Sequence, residues 1–408
     1  DYQRVVNEYM AYACGSLLTA CNNEYGVLRY PGVADSVKGM MSMSSFTGDF
    51  MFADDQRDAN TPMYEVRGYF QFYSNYTGDK SLSAWRQLLL DTKYHTQYAP
   101  NMRKDTAGDL DIIYYTGEAD MDSIKEKSKI DVMEGTERFV LHQDWLDENG
   151  TYFAAAGGPT RHYHMHNDGG DFIWMANGER WNLELGRGNY NLSNIWNRYS
   201  GRTEAHNTLT INPDAGFSQD EHSFAPLESW AEGSGGAYAV YDMTQLYAWH
   251  GASKIKRGFY IGDNYKSLTV RDEMSFDKKV TGYWFMNTDA ELVQLGDDKI
   301  LMSKNGKSMI FSYAAECKDA KAELKIMPCE PLPTSPKLSG DNQYDNVKKI
   351  AIYFEGKGDI NITAKMSPTN ESIDTTPIAD WKAPEKTEGK TSTLSYKLYV
   401  NGSEMIDA

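Results

Sequence analysis

From about residue 130 onward the chain never runs far without a turn dipeptide, and this punctuation restricts the fold more than any other feature. "DENGTY", "MANGERW", "YIGDNYK", "QLGDDKI" and "SKNGKSM" each set an Asn-Gly or Gly-Asp pair between short runs rich in Val, Ile, Phe, Tyr and Thr. Two-residue hairpin turns need positive φ, which Gly, Asn and Asp tolerate best. Repeated at short intervals, such signals predict a large antiparallel sandwich or barrel. Up to about residue 125 the texture is helical instead. "VVNEYMAYACGSLLTAC" spaces Val6, Met10, Ala13, Leu17 and Cys21 as a stripe expected to be buried on a helix. "NTPMYEVRGYFQFYSNYTG" reads as a helix with Thr61 as N-cap, Pro62 at its first position and Gly78 as its stop. "SLSAWRQLLL" then sets Leu82, Trp85 and Leu89 on one side. The long segment "YPGVADSVKGMMSMSSFTGDFMFADDQRDAN" between these helices has the length of a functional loop. The boundary falls in "EADMDSIKEKSKID", so an α+β chain is expected, with a helical unit over 1–128 and an antiparallel unit over 129–408.

Bulk properties exclude some functions. A net charge of −17 argues against nucleic acid as a partner, although a local cleft on an acidic protein can still be positive. No apolar run approaches the ~20 residues of a membrane span. The first residues, Asp-Tyr-Gln-Arg, carry no signal-peptide pattern. None of the four cysteines forms a CxxC pair, so buried free thiols are the default reading. The aromatic content of 13% suits sugar binding, because rings stack on pyranose faces, but it also suits any Tyr-rich sheet.

The densest chemistry lies in "RHYHMHNDGGDF", where His162, His164 and His166 alternate ahead of Asp168. On a strand these four would share one face. "DFIWMA" and "ERWNLEL" then read as a hairpin about Asn177-Gly178, and His206 precedes a further strand. Imidazoles and carboxylates from adjacent strands suit zinc, which takes N and O donors tetrahedrally. A two-residue turn at Asn177-Gly178 sets Glu184 opposite Asp171, on the face away from His166 in a regular strand. Glu184 reaches His166 only through a one-residue shift, for which Gly169-Gly170 offers a bulge. Asp168 is the competing carboxylate and needs no bulge.

The segment "GGPTRHYHMHNDGGDFIWMANGERWNLELGRGNYNLSNIWNRYSGRTEAHNTLTIN" resembles the centre of the heparinase II/III-like polysaccharide lyases. Their pattern is HxHxDxGxF, a strand ending in an acidic residue and Gly, a Tyr/Arg-rich stretch, and a His-Asn before a strand. "AVYDMTQLY", "KRGFYIGDNYKSLTVRDE" and "GYWFMNT" resemble that family's sandwich, and "FTGDFMFADD" the end of its α/α toroid. The resemblance implies a partial α/α toroid followed by a large antiparallel β-sandwich. It implies His164 as the catalytic histidine and His166, Glu184 and His206 as a metal triad. Zinc is the implied ion, in a structural role, with calcium the second candidate. Glu184 departs from the family's Asp and comes one residue late. Tyr190 and Tyr199 fall where some members carry cleft tyrosines, and "DYQR" resembles the end of a helix entry that would make Tyr2 a proton-transfer group. Arg161, Arg198 and Arg202 are candidates for holding substrate. The family's toroid is longer and bears an early Asn/His pair that has no match here, so a preceding helical segment is expected to complete it.

The implied reaction is β-elimination beside a uronic acid in an anionic polysaccharide. It needs donors around the carboxylate, a base for the C5 proton and an acid for the leaving O4. A polymeric substrate implies a secreted or periplasmic protein. Two alternatives stand beside it. A glycoside hydrolase of toroid-plus-sandwich architecture would need two carboxylates, for which Asp49, Asp54 and Asp55 are candidates. A non-catalytic glycan-binding module would keep the aromatics and the ion without the acid/base pair.

Overall fold

A computed structural model describes residues 2–30, 32–45, 48, 49, 52, 68–94, 108–117, 119–160, 166–189, 191, 198–317, 320–341, 343–387, 397–400 and 403–407. Helices come first: α1 (Tyr2–Cys21), α2 (Val33–Ser42), α3 (Tyr69–Thr77), α4 (Lys80–Leu89), α5 (Gly108–Tyr114) and α6 (Asp122–Lys125). Gly78 ends α3 at φ 77°, where its N–H reaches the Ser74 carbonyl, and Asp79 caps α4 by accepting from the Ser81 N–H at 3.1 Å. Thr61 and Pro62 lie outside the described residues.

The stripe expected on α1 is displaced. Val6 is 58% exposed and Cys21 is exposed, while Asn7, Ala11 and Cys14 are buried. Side-chain volume explains the difference. Gly15 lies so near Tyr114 that an added Cβ would sit 2.1 Å from its hydroxyl oxygen, so the small-residue face is the one that admits its neighbours.

The two largest sheets among the described residues follow, both antiparallel. The smaller runs β1 (Ile130–Met133), β2 (Arg138–His142), β3 (Tyr152–Ala156), β4 (Phe172–Ala176) and β5 (Glu179–Arg180), in that order. The larger contains β6 (Leu209–Ile211), β7 (Leu227–Gly233), β8 (Gly236–Asp242), β9 (Ala252–Gly262), β10 (Ser267–Thr288), β11 (Glu291–Gln294), β12 (Lys299–Lys304), β13 (Lys307–Cys317), β14 (Ala320–Pro328) and β15 (Lys348–Ser367). Its order is β7-β8-β9-β10-β15-β13-β12-β11, with β14 paired to β15 and β6 to β10. Two of the turn pairs behave as their chemistry requires. Asn177 and Gly178 take φ 55° and 70° between β4 and β5, and Asn305 and Gly306 take 49° and 76° between β12 and β13.

The sheets share one apolar core. Phe153 and Phe172 of the small sheet meet Phe259 of β9 at ring separations of 5.2 and 5.4 Å, and Phe172 also meets Trp284 of β10. Strands β10 and β15 pair along nearly their whole lengths, with one register shift between Phe276 and Val280. The helical region meets the small sheet through Ser42, whose carbonyl accepts from His142 Nε2 at 2.9 Å and whose hydroxyl donates to Asp131.

Candidate functional site

The histidine stretch does not continue as a strand into β4. Asp168 to Asp171 form a tight turn closed by the Asp171 N–H on the Asp168 carbonyl, with Gly170 at φ 80°. The expected row of His166 and Asp168 on one strand face is therefore corrected: both precede a reversal, and β4 begins only at Phe172. The two glycines make a turn rather than a bulge. Gln219 holds its outer side, since its amide accepts from the Gly169 N–H and donates to the Gly169 carbonyl, while the Gly170 N–H donates to Ala156 of β3.

Past the hairpin, Trp181 donates to Trp174, and Asn182 bonds Trp174 and Phe172 through its side chain. That ladder carries Glu184 level with Asp171. Both carboxylates lie 3.1 Å from His206 Nδ1. His166, Glu184 and His206 each offer a ligand atom within 4.8 Å of one another, and all three side chains are buried. The fold thus gathers the expected triad, with Asp171 as a fourth member on the side where a regular strand would not have put it.

Burial and close contact set the protonation of this cluster. Burial, the Asp171 charge and their mutual hydrogen bond push Glu184 well above the usual carboxyl range, despite His206. Burial also raises Asp171, but hydrogen bonds to Glu184, His206 and Asn207 bring it below its ordinary value. At His206 burial disfavours the imidazolium, yet the two carboxylates outweigh it and hold the ring well above the ordinary histidine value. His206 Nε2 is buried with no hydrogen-bond partner among the described residues. A donor set of two imidazoles and a carboxylate, with a second carboxylate orienting one ring, is of the kind zinc accepts.

Three residues outside the expected ligand set hold this cluster. Asn207 donates from its side chain to Asp171, Phe172 and Leu183, and accepts from the Asn287 N–H. Asn287 in turn donates to the Ala205 carbonyl at 2.6 Å. Arg257, fully buried on β9, binds both Asp272 oxygens at 2.8 and 2.9 Å and uses Nη1 on the Gly170 and Asn207 carbonyls. Asn207 was legible from its place beside His206. Arg257 and Asn287 had no local signal, because they lie 50 and 80 positions further along the chain.

The remaining expected residues fall as follows. Arg161, His162, His164 and Tyr190 lie outside the described residues, and Tyr2 opens α1 without a described side chain. Tyr199 is 1% exposed in an apolar cluster with Leu183, Ala205 and Tyr344, its hydroxyl 3.7 Å from the Cys329 sulfur. Burial first, and then Cys329 and Glu204, push that phenol well above its usual range. Arg198 is buried and reaches the Gly188 carbonyl at 3.4 Å. Arg202 donates to the Pro336 carbonyl at 2.8 Å and stands 3.3 Å from Glu204. Asp168 is buried near His206, and burial raises its carboxyl.

With this geometry in hand, comparison with known proteins is direct. Residues 140–336 match the heparinase II/III-like C-terminal family model. This segment belongs to the heparinase II/III-like C-terminal family. Its fold is similar to heparinase III, the BT4657 gene product, with a TM-score of 0.64 and 14% identity over 91% of this chain and 51% of that one. It is likewise similar to the heparan sulfate lyase HepC from Pedobacter heparinus, with a TM-score of 0.63 and 14% identity over 91% of this chain and 52% of that one. The chain spans about half the length of these structures. No curated protein sequence matches it.

Proposed function

We propose that this chain is the ion-holding part of a polysaccharide lyase that cleaves a uronate-containing polymer by β-elimination. The observation that carries the reading is the buried meeting of His166, which ends the HxHxH stretch, with Glu184 and His206, inside the segment that matches this family. The family membership supports lyase chemistry, and the fold is that of proteins titled heparinase III and heparan sulfate lyase.

In the reaction, the uronate carboxylate must be held so that charge from the departing C5 proton spreads into it. Preorganised donors around that group supply the largest stabilisation. We assign His164 as the base or the carboxylate neutraliser, and a tyrosine as the acid that protonates the leaving O4 while the C4–C5 double bond forms. Tyr199 is buried against Cys329, which suits packing, so Tyr2 and Tyr190 are the better assignments. Arg198 and Arg202 already serve backbone carbonyls, which leaves Arg161 as the arginine assigned to the uronate. Zinc at the triad would supply a fixed positive centre that keeps the Gly169 turn, β4 and the His206 segment in place. Further helical residues, completing a toroid as in the longer relatives, would close the cleft. A polymer too large to enter a cell places the enzyme outside the cytoplasm, secreted or periplasmic.

Incubation with alginate, heparan sulfate and hyaluronan tests this. An ultraviolet-absorbing unsaturated uronate is expected from at least one, and His164→Ala should slow its appearance about 100-fold or more. New reducing ends without that absorbance would instead indicate hydrolysis. Metal content should fall in both His166→Ala and His206→Ala; unchanged stoichiometry in the two would dismiss the ion site.

A further inference from the structure

Phe217 lines two depressions and stands between them. On one side is a cavity of about 310 Å³ lined by Arg202, Thr203, Glu204, Thr210 and Pro336 among others. On the other is a shallower depression of about 360 Å³ with Asp220, Glu221, His222 and Trp249. Phe217 is 39% exposed and Trp249 47%, so each ring, at the lining of these depressions, offers a face to solvent.

The walls of the cavity are built, not incidental. Thr203 and Thr210 are each 2% exposed, and their hydroxyls have no hydrogen-bond partner among the described residues. Buried hydroxyls are ordinarily satisfied, so these two hold donor and acceptor capacity in reserve. The loop carrying Phe217 is pinned at both ends. Ser218 Oγ accepts from the Ile211 N–H at 2.6 Å, and the Ser218 carbonyl accepts from His250 Nε2 at 3.0 Å. Asn212 accepts from the Thr281 N–H, and Gln219 grips the Gly169 turn. A groove fixed in advance binds without an ordering cost.

Charge decides which ligand fits. Arg202 is the one Lys or Arg lining either depression among the described residues, and it already faces Glu204 at 3.3 Å. Asp214, Asp220 and Glu221 add negative charge with no matching cation in the lining. An anionic sugar would meet like charge, which suppresses binding. A neutral pyranose meets hydroxyl partners at Thr203 and Thr210 and a ring to stack on at Phe217. The cavity volume is at the lower end for small-molecule sites, enough for a single ring.

We propose that this groove binds a neutral sugar segment, one ring in the Thr203–Thr210 cavity and the next across Phe217 toward Trp249. The inference does not depend on the elimination chemistry. Saturation-transfer NMR and tryptophan fluorescence on the full chain, with cellobiose and N,N′-diacetylchitobiose as neutral probes and digalacturonate as the anionic one, test it. At least one neutral disaccharide should bind saturably, and digalacturonate should not. Phe217→Ala and Trp249→Ala, exposed positions whose melting should match wild type, are expected to weaken binding about 10-fold, and Thr210→Val likewise. Failure of both neutral probes to saturate, equal binding of digalacturonate, or undiminished binding in both aromatic variants would overturn the proposal. Neutral-sugar binding in a chain that yields no unsaturated uronate would uphold the groove and sink the lyase reading; the reverse result would do the opposite.

Discussion

Arg257 directs four of its five N–H donors to buried partners. Its two bonds to Asp272 satisfy a fully buried carboxylate, and its two remaining contacts tie the Gly170 turn to the His206–Asn207 segment. Removing one partner of such a pair leaves an unpaired buried charge, typically a loss of about 3–5 kcal/mol. Arg257→Met should therefore lower stability by that order in urea unfolding. The double variant Arg257→Met/Asp272→Leu should recover much of it, because the orphaned carboxylate is gone too. Metal binding should stay weakened in both, since the carbonyls of Gly170 and Asn207 still lack their donor. If the double variant binds metal as wild type does, Arg257 contributes to stability alone. A sequence reading had no route to this residue: an arginine on a long strand reads as solvent-facing until the chain's path puts it under the turn. Asp171 was half legible. Counting across Asn177-Gly178 sets it opposite Glu184, as found, but the assumption of a straight strand through His166 turned it to the wrong face.

Among the local elements, the Asp168–Asp171 turn matters most for the His166–Glu184–His206 cluster. It reverses the chain so that His166 and Asp171, five positions apart, both approach His206. Gly170 holds φ 80°, and a Cβ there would lie 2.5 Å from the Met243 sulfur. Gly170→Ala should cost about 1–2 kcal/mol for the left-handed backbone and about 1–3 kcal/mol for crowding. Calorimetry should show the lowered melting temperature, and metal content should fall with it; a variant that melts like wild type would show that the turn relaxes freely. The Asn-Gly hairpins were legible because both of their residues can take positive φ, so local chemistry decides the shape. The Gly-Gly turn was read as a bulge because two glycines permit either, and only the hydrogen bonds from Gln219 and Ala156 select between them. The buried face of α1 was misread for a related reason. Periodicity locates a stripe, but helix-to-helix approach at Gly15 chose the smaller side chains.

Across the molecule, the order of helices followed by antiparallel sheets follows from residue texture, and the structural comparison agrees with it. What texture could not supply is how the parts respond to acid together. His142 joins the helical region to the small sheet, donating to the Ser42 carbonyl and stacking on Trp145 at 3.5 Å. Burial pushes its ring down to about 3, and burial likewise pushes His250, which braces the Phe217 loop, down to about 4. Both stay neutral when folded and take a proton when unfolded below the ordinary histidine value of about 6.5. Stability is thus complete above that value and falls as pH drops toward about 4 and then about 3, by up to about 1.4 kcal/mol per pH unit for each ring. Urea midpoints between those limits should fall with acid, and His142→Gln should flatten the slope; an unchanged slope would remove His142 as a cause.

The distance in sequence between the triad and its braces has a consequence for biosynthesis. His166, Glu184 and His206 leave the ribosome well before Arg257, Asp272 and Asn287. Since chains emerge from the N-terminal end, the nascent polypeptide displays the cluster side chains while the scaffold that aims them is still untranslated. The His166–Glu184–His206 cluster is consequently completed late in maturation, once β10 has been made.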